Sequence, residues 1–307
     1  MSDRSQAAMP EATRGFIFAM LAYLFWGLFP FYMKAVAHIP VVEVLAHRVI
    51  WSLPVAAIIL VFMGRTKDVG AALRNPRTLA MACLTASLIT LNWGVYVWAI
   101  FNDHALDAAL GYYINPLVNV LLGAIFLKER LTRVQLVAVF LAAAAVVLLT
   151  VEQGGLPWVS IILPLSFGFY GFFRKSLPIG PSQGFMLEVI ILFIPASAYA
   201  IWLYTQGQDH FVTGTPADIS LLMLAGVVTA VPLIMYATGA KLLRYTTLGL
   251  MQYITPTMLF LIAVFAFKEP FNTVQLYAFA LIWAGLILYT WSILKEARAD
   301  KAIAAKS

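Results

Sequence analysis

Charged side chains are scarce in this chain. Asp, Glu, Lys and Arg make up 11% of its 307 residues, whereas 62% of the residues are hydrophobic. A soluble globular protein carries about 25% charged residues and coats its surface with them. The shortage argues against an ordinary soluble fold, so we expect the lipid bilayer to act as the solvent for most of the chain.

Cysteine and histidine are also rare. Cys83 is the single cysteine, which excludes an intrachain disulfide. The four histidines are dispersed without zinc-site spacing, and the chain has no Walker A sequence. A Gly-x-Ser-x-Gly match at 180–184 lacks the preceding strand that a nucleophile elbow requires. We therefore expect no enzyme activity, no metal and no cofactor.

Long apolar runs dominate what is present. A helix needs about 20 such residues to cross the hydrocarbon core, and runs of this length recur ten times. Turn and polar residues fill the connections, for instance at 64–76 and 205–218. The sequence predicts an all-α membrane protein with ten transmembrane helices near Phe16–Val36, Val44–Met63, Thr78–Phe101, Ala105–Leu127, Val134–Val151, Pro157–Phe173, Ser182–Tyr204, Ile219–Ala240, Thr247–Phe267 and Val274–Leu294.

Basic residues alternate between the connections. All but three of the 20 Lys and Arg fall in the N-terminal segment, the even-numbered loops and the tail, and the exceptions are Lys34, Arg48 and Lys268. Cytoplasmic loops keep positive charge, so both termini are predicted to be cytoplasmic and the membrane to be the bacterial inner membrane. The net charge of +6 follows from this topology. No basic stripe with interleaved aromatics indicates a nucleic-acid partner.

The second part of the chain repeats the first. The matched motifs, all in one register, are Tyr-Ile-x-Pro at 113–116 and 253–256, Lys-Glu at 128–129 and 268–269, and Val-Gln-Leu at 134–136 and 274–276. Each copy holds five helices, an odd number, so the second copy enters the membrane in the opposite orientation. We predict two inverted five-helix repeats at 16–151 and 157–294, an outer loop at 152–156, and cytoplasmic segments at 1–15 and 295–307.

The repeat unit resembles the EamA unit of the drug/metabolite transporter superfamily. The resemblance rests on Lys128-Glu129-Arg130 and on blocks at His47–Ser52, Asn92-Trp93, Trp98-Ala99, Leu110–Asn119, Phe169–Gly171, Arg174-Lys175, Leu248-Gly249 and Gln252–Ile254. It implies ten helices and a permease of the bacterial cytoplasmic membrane that exports its solute. Pro270 departs from the pattern, because the first copy has a basic residue, Arg130, at that position.

Ionisable groups within predicted helices are candidates for substrate binding or coupling. They are Glu43, His47, Arg48 and Glu188. Arg48 can bind an anionic substrate group with His47 as a titrating partner, or it can extend to the headgroups within an interfacial cluster. Glu188 can bind a cation or a proton, or it can pair with Arg174 or Lys175.

Aromatic and amide side chains are predicted to line a substrate cavity between the halves: Trp26, Asn92, Trp93, Tyr96, Tyr112, Tyr113, Asn115, Tyr170, Tyr236, Gln252 and Tyr253. An amide facing lipid leaves its donors unmet, so each amide should face protein or a wet cavity. Hydrogen bonding between helices is the alternative for any single amide. Pro116 and Pro256 are predicted to kink or break equivalent helices at a site near the midplane, with packing kinks as the alternative.

Together these patterns predict a secondary transporter that moves a small organic molecule across the bilayer by alternating access. The expected partners are a small-molecule substrate and the lipid bilayer. Proton or cation coupling and the oligomeric state stay open. A membrane scaffold or assembly factor is the alternative, and an intramembrane enzyme is less favoured because no paired catalytic set is present.

Overall fold

The computed structural model of the chain describes residues 10–102, 104–266, 268 and 273–304. This part of the chain is helical, and no strand occurs among the described residues. The elements are α1 (Glu11–Gly27), α2 (Phe29–Ala35), α3 (Val41–Phe62), α4 (Thr66–Leu73), α5 (Pro76–Phe101), α6 (Ala105–Phe126), α7 (Arg133–Glu152), α8 (Trp158–Ser176), α9 (Pro181–Thr205), α10 (Pro216–Leu242), α11 (Tyr245–Met251), α12 (Ile254–Leu261), a π-helical turn (Ile262–Ala266) and α13 (Thr273–Ala304).

Ten spans are present, as predicted. Within the described ranges, nine are long and apolar enough to cross a membrane by length and composition. The first combines α1 with α2, and the ninth combines α11, α12 and the π-helical turn. The remaining span is α8, which has 19 residues and carries Arg174 and Lys175 in its last turn. Ser160 and Ser166 also lower the mean hydropathy of α8. Both serines are buried, because α8 packs among α5, α6 and α10. The chain is therefore a multi-pass membrane protein.

A short helix lies where the sequence predicts a turn region. The segment 64–76 contains α4, which buries Val69 and Ala72. Their i, i+3 spacing puts both side chains on one helix face, and this face packs against α9. The exposed side of α4 carries Asp68, whose Oδ2 accepts a hydrogen bond of 3.0 Å from Gln183 Nε2 at the start of α9. The second loop is therefore fixed to the second half of the chain.

The two spans that carry the repeat-matched prolines, Pro116 and Pro256, differ in their continuity. The fourth span, α6, runs without interruption through Pro116, so the predicted break is absent there. The ninth span is broken at Gln252 and Tyr253, between α11 and α12. Pro256 is the third residue of α12, where its missing N–H would have no partner within the helix. A break is therefore tolerated before Pro256, whereas α6 accommodates its proline internally.

Helix contacts are distributed in matched pairs. Three of them join equivalent helices of the two predicted halves, namely α3 with α9, α6 with α11, and α7 with α13. Three further pairs of contacts are equivalent under the repeat, because replacing each helix by its counterpart in the other half converts one contact into the other. These pairs are α1–α10 and α8–α5, α1–α12 and α8–α6, and α3–α10 and α9–α5. Lys128 and Lys268, aligned by the repeat, both have positive φ, at 53° and 59°. These matches support a duplicated five-helix unit. The opposite membrane orientation of the copies stays a prediction.

Candidate functional site

Arg48 of α3 points into the bundle. Its Nε donates a hydrogen bond of 2.8 Å to Thr229 Oγ1 on α10. The guanidinium carbon lies 4.6 Å from the ring centroid of Trp93 on α5 and 5.3 Å from that of Phe29 on α2. Thr229 is buried within α10 and Arg48 is half-buried. The side chain is thus directed at neighbouring helices, an arrangement that is compatible with substrate binding.

Three tyrosines lie near Arg48. Tyr32, Tyr96 and Tyr112 are close enough to interact electrostatically with its guanidinium. The rings of Tyr96 and Tyr112 pack edge to face with centroids 6.0 Å apart. Like Arg48, the side chains of Trp93, Tyr96 and Tyr112 are half-buried. We call Arg48, Trp93, Tyr96 and Tyr112 the Arg48 site; all four are residues that the sequence singled out.

A narrow cavity lies next to the Arg48 site between α3, α5, α9 and α10. Its lining includes Ser52, Trp93, Thr229 and Glu188. The cavity has a volume of about 10 Å³, which is room for about one water molecule. No organic solute fits there in this conformation. Passage through the bundle therefore requires these helices to separate.

Three predicted cavity residues lie in a packed cluster instead. Tyr170 and Tyr236 are fully buried, and the rings of Trp26 and Tyr236 have centroids 5.6 Å apart. Phe167 and Tyr23 complete the cluster, with centroids 5.4 and 6.2 Å from that of Tyr236. Each aromatic pair adds about 0.5–1.5 kcal/mol. We call these five residues the aromatic plug, because their rings pack against one another within the bundle, although Trp26 is only half-buried.

Glu188 of α9 is paired. Its Oε1 lies 3.4 Å from Arg174 Nη1 at the end of α8, with both side chains almost fully buried. Tyr170 Oη donates to Glu188 Oε2 at 3.2 Å, and Arg174 Nη2 donates to Pro181 O at 2.7 Å. Arg174 Nη1 and Glu188 Oε1 do not form a hydrogen bond, so these two atoms interact as an ion pair. The structure thus contains the ion pair that was the alternative to a free cation or proton site.

The mid-helix amides bond mainly to neighbouring helices. Asn92 Nδ2 donates to Leu163 O at 2.9 Å and to Ser166 Oγ at 3.0 Å, both on α8. Asn119 Nδ2 on α6 donates to Gln252 Oε1 at 2.6 Å, at the break of the ninth span. Asn92 and Gln252 therefore form hydrogen bonds between helices, which was the alternative to lining a cavity. The hydrogen bond to Asn119 also holds the buried C-terminal end of α11 against α6.

Asn115, Tyr113 and Tyr253 lie outside the Arg48 site. Tyr253 Oη donates to the backbone oxygen of Tyr113 at 3.1 Å. Tyr113 packs against Phe279 of α13 with ring centroids 5.6 Å apart. Both tyrosines belong to the apolar core shared by α6, α7 and α13. Asn115 is buried and its Oδ1 has no hydrogen-bond partner among the described residues, so this buried acceptor is left unmet.

Glu43 and His47 contact the loop between α9 and α10. Glu43 is fully buried. Its Oε1 accepts a hydrogen bond from the backbone N–H of His210 at 2.5 Å, and its Oε2 lies 2.8 Å from His210 Nδ1. His47 stacks on Phe211 with ring centroids 5.0 Å apart. The two residues therefore hold this loop over the end of the bundle that is predicted to be outer.

Phe29, Tyr32 and Thr229 complete the surroundings of Arg48 and were missed from the sequence. Phe29 and Tyr32 are three residues apart, a spacing that places both on one face of α2, and this was a usable signal. Nothing in the sequence distinguishes Thr229 from other threonines in the spans. Its contact with Arg48 depends on the packing of α3 against α10.

Comparison with known proteins identifies the family. The model of the EamA-like transporter family matches residues 13–151, close to the first predicted repeat. A Streptomyces exfoliatus protein named RarD is 39% identical over 95% of this chain and 93% of its own length. A ten-span helical membrane protein with these relatives is a transporter of the EamA class, and the chain belongs to the EamA-like transporter family.

Within this family the chain is similar over most of its length to proteins named RarD and to uncharacterized transporters. One of these, the uncharacterized transporter YojE of Bacillus subtilis (strain 168), is 41% identical over 95% of this chain and 98% of its own length. A solved crystal structure with 17% identity has a TM-score of 0.68 and covers 91% of this chain and 97% of that one. At that identity, the similarity concerns the fold alone.

Proposed function

We propose that the chain is a secondary transporter that moves a small organic solute across the bacterial inner membrane by alternating access. The observation that carries the proposal is the half-buried Arg48 site, which faces α10 of the second half from α3, α5 and α6 of the first. Transporters built from inverted repeats bind their substrates where the two repeats meet. The contact between Arg48 and Thr229 joins the two predicted repeats, which supports this assignment.

Alternating access explains the uneven packing of the bundle. Side chains of the Arg48 site keep part of their exposure, whereas Tyr170 and Tyr236 of the aromatic plug are fully buried. The Arg174–Glu188 pair joins the end of α8 to the start of α9, at the end of the bundle that is predicted to be cytoplasmic, and Tyr170 of the plug contacts it. In the proposed cycle, this end opens when the other closes, which exposes the Arg48 site to the cytoplasm.

The direct test is uptake by proteoliposomes. Purified full-length protein is reconstituted, a bacterial metabolite extract is added outside, and the trapped solutes are identified by mass spectrometry against protein-free liposomes. We expect one solute or a small group of solutes to be enriched without a change in mass. No enrichment would favour the scaffold alternative, and new masses would favour an enzyme. Export as the working direction rests on the family and is tested with the solute that this experiment identifies.

The membrane orientation has its own test. Cys83 is the single cysteine, so Cys83→Ser gives a cysteine-free background. In that background, Val212→Cys in the α9–α10 loop should react with a membrane-impermeant maleimide in intact spheroplasts. Gly70→Cys on α4 should react only after the membrane is opened. The reverse pattern would contradict cytoplasmic termini, and labelling of both positions from the same side would contradict the inverted orientation of the repeats.

Coupling through Glu188 is not part of the proposal. A carboxylate that carries a proton or a cation must release and take up its ligand, whereas Glu188 is nearly fully buried beside Arg174. If proton-dependent uptake were found with wild-type protein and lost in Glu188→Gln, while uptake without a proton gradient continued, Glu188 would return as the coupling residue.

A further inference from the structure

We infer that the transported solute carries a carboxylate on a flat, apolar body, with Arg48 binding the carboxylate and Trp93, Tyr96 and Tyr112 contacting the body. The inference rests on the proposed function and names the substrate class of the same site. It follows from the hydrogen-bonding state of Arg48, from the shape of its guanidinium, and from the side chains around it.

Arg48 has unused donors. Its Nε donates to Thr229, but its two terminal nitrogens form no hydrogen bond with a described residue, and no described carboxylate forms an ion pair with it. The four N–H groups on those nitrogens are therefore free for an external acceptor. A charge held away from water is costly unless it is paired, so an anionic solute would supply the negative partner that Arg48 lacks among the described residues.

Other basic side chains within the bundle already have acceptors. Arg174 contacts Glu188 and Pro181 O. Lys175 Nζ donates to two backbone oxygens of the α10 end, at 2.7 and 2.5 Å. Lys241 Nζ donates to Leu177 O at 2.6 Å. The free guanidinium edge of Arg48 is thus a special feature of this position and does not result from a general lack of acceptors.

The geometry of the site favours a carboxylate. A guanidinium presents parallel N–H groups that match the two oxygens of a planar carboxylate. Thr229 fixes the Nε side and the Trp93 ring lies under the guanidinium, so the side chain is held ready before the solute arrives. Such pre-organisation lowers the entropy cost of binding.

The surrounding side chains favour a flat, apolar body next to the charge. Trp93, Tyr96 and Tyr112 present ring surfaces at the half-buried site. The hydroxyl groups of Tyr96 and Tyr112 have no hydrogen bond to a described residue, so they can also donate to a polar substituent. Aromatic surfaces with a few convergent polar groups are typical of sites for small organic ligands.

A phosphate ester shares the bidentate chemistry of a carboxylate, and a lipid headgroup carries one too. Arg48 is directed at the buried Thr229 of α10, within the bundle, which disfavours the headgroup. The experiment below separates a free carboxylate from both phosphate sources.

The test uses proteoliposomes and a bacterial metabolite extract that is divided by anion exchange into acidic and non-acidic fractions. One portion of the acidic fraction is amidated with carbodiimide and ammonium, which neutralises carboxylates. Another portion is treated with phosphatase. We expect uptake from the acidic fraction, survival of uptake after phosphatase, and loss after amidation.

Arg48→Gln should lower the initial uptake of the identified solute, below saturation, by at least about 10-fold, because hydrogen bonds to a charged group are lost. Arg48→Lys keeps the charge but not the fork and should give an intermediate rate. The matched control is Arg65→Gln, a half-exposed arginine on the surface, which should transport at the wild-type rate. Monodisperse elution of each variant in detergent separates loss of binding from loss of folding.

Uptake from the non-acidic fraction, or uptake that survives amidation, would overturn the carboxylate inference while leaving transport intact. Loss of uptake after phosphatase would identify a phosphate ester instead. Inhibition of uptake in liposomes enriched in phosphatidylglycerol would indicate that a lipid headgroup occupies Arg48. If no fraction is taken up at all, the proposed function itself is wrong.

Discussion

The two arginine clusters within the bundle differ in burial and in whether the arginine has an ionic partner. Arg48 lies beside half-buried aromatic rings, and no described carboxylate pairs with it. Arg174 is sealed in the bundle with Glu188 as its ionic partner. A charge that has its partner within the chain is satisfied in the resting protein and serves the fold. A charge that lacks a partner and keeps part of its exposure is free to bind something else.

The largest expected effect comes from removing one side of the sealed pair. Arg174→Ala leaves Glu188 buried without its cation, which typically costs about 3–5 kcal/mol of unfolding free energy. Thermal unfolding of the purified protein in detergent should show a clear fall in the midpoint. In the double variant Arg174→Met with Glu188→Leu, most of the stability should return, since an apolar pair of similar volume is often neutral. A double variant as unstable as the single one would show that the charges themselves stabilise the bundle.

The next effect concerns the space around Arg174. A methyl group at Gly184 would overlap Arg174 Nη1, so Gly184→Ala should push the guanidinium away from Glu188. Overpacking of this kind costs about 1–3 kcal/mol. Gly94→Ala on α5 is the matched control, because nothing lies within 4 Å of a methyl group there. Equal unfolding midpoints for the two variants would contradict the tight fit of the pair.

A smaller effect is expected at the tyrosine that supports the pair. Tyr170→Phe removes the hydrogen bond to Glu188 Oε2 but keeps the ring in the aromatic plug. The loss of one such bond costs about 0.5–1.5 kcal/mol net. The unfolding midpoint should therefore fall less than in Arg174→Ala. A fall of the same size would mean that Tyr170, and not Arg174, holds Glu188 in place.

Arg48→Gln should have the smallest effect on stability. The substitution removes one hydrogen bond to Thr229 and the contact with Trp93, but it strands no partner charge. We expect a loss of no more than about 1 kcal/mol, although uptake falls strongly. Unfolding curves of Arg48→Gln and Arg174→Ala, measured side by side, test this difference. Similar losses of stability would remove the distinction between the two arginines.

Local sequence signals predict the long helices correctly, whereas they do not predict the contacts between distant segments. The break of the ninth span was expected near Pro256, and the structure has it at Gln252 and Tyr253. No equivalent break occurs at Pro116, because a proline can be absorbed where neighbouring helices support the backbone. Identical motifs therefore produced different backbones in the two halves.

The sequence predicts the candidate site only in part, because it shows the type of a side chain but not what that side chain contacts. Polar and charged residues inside apolar spans are conspicuous, so Arg48, Trp93, Tyr96 and Tyr112 could be selected from the sequence. Trp26, Tyr170 and Tyr236 were selected by the same reasoning but belong to the packed plug. Helical spacing gives the face of a residue, but it does not reveal whether that face meets a neighbour or open space.

The sequence by itself determined the succession of apolar spans and the alternation of basic loops, because both depend on how many apolar residues cross a bilayer and where the charges interrupt them. The duplicated unit stays a prediction from the matched motifs. Tertiary structure alone decided that Glu188 meets Arg174, that Glu43 holds His210, and that Arg48 turns to Thr229. In each case the outcome depends on which helices pack together, and apolar side chains facing lipid or protein look alike in a sequence.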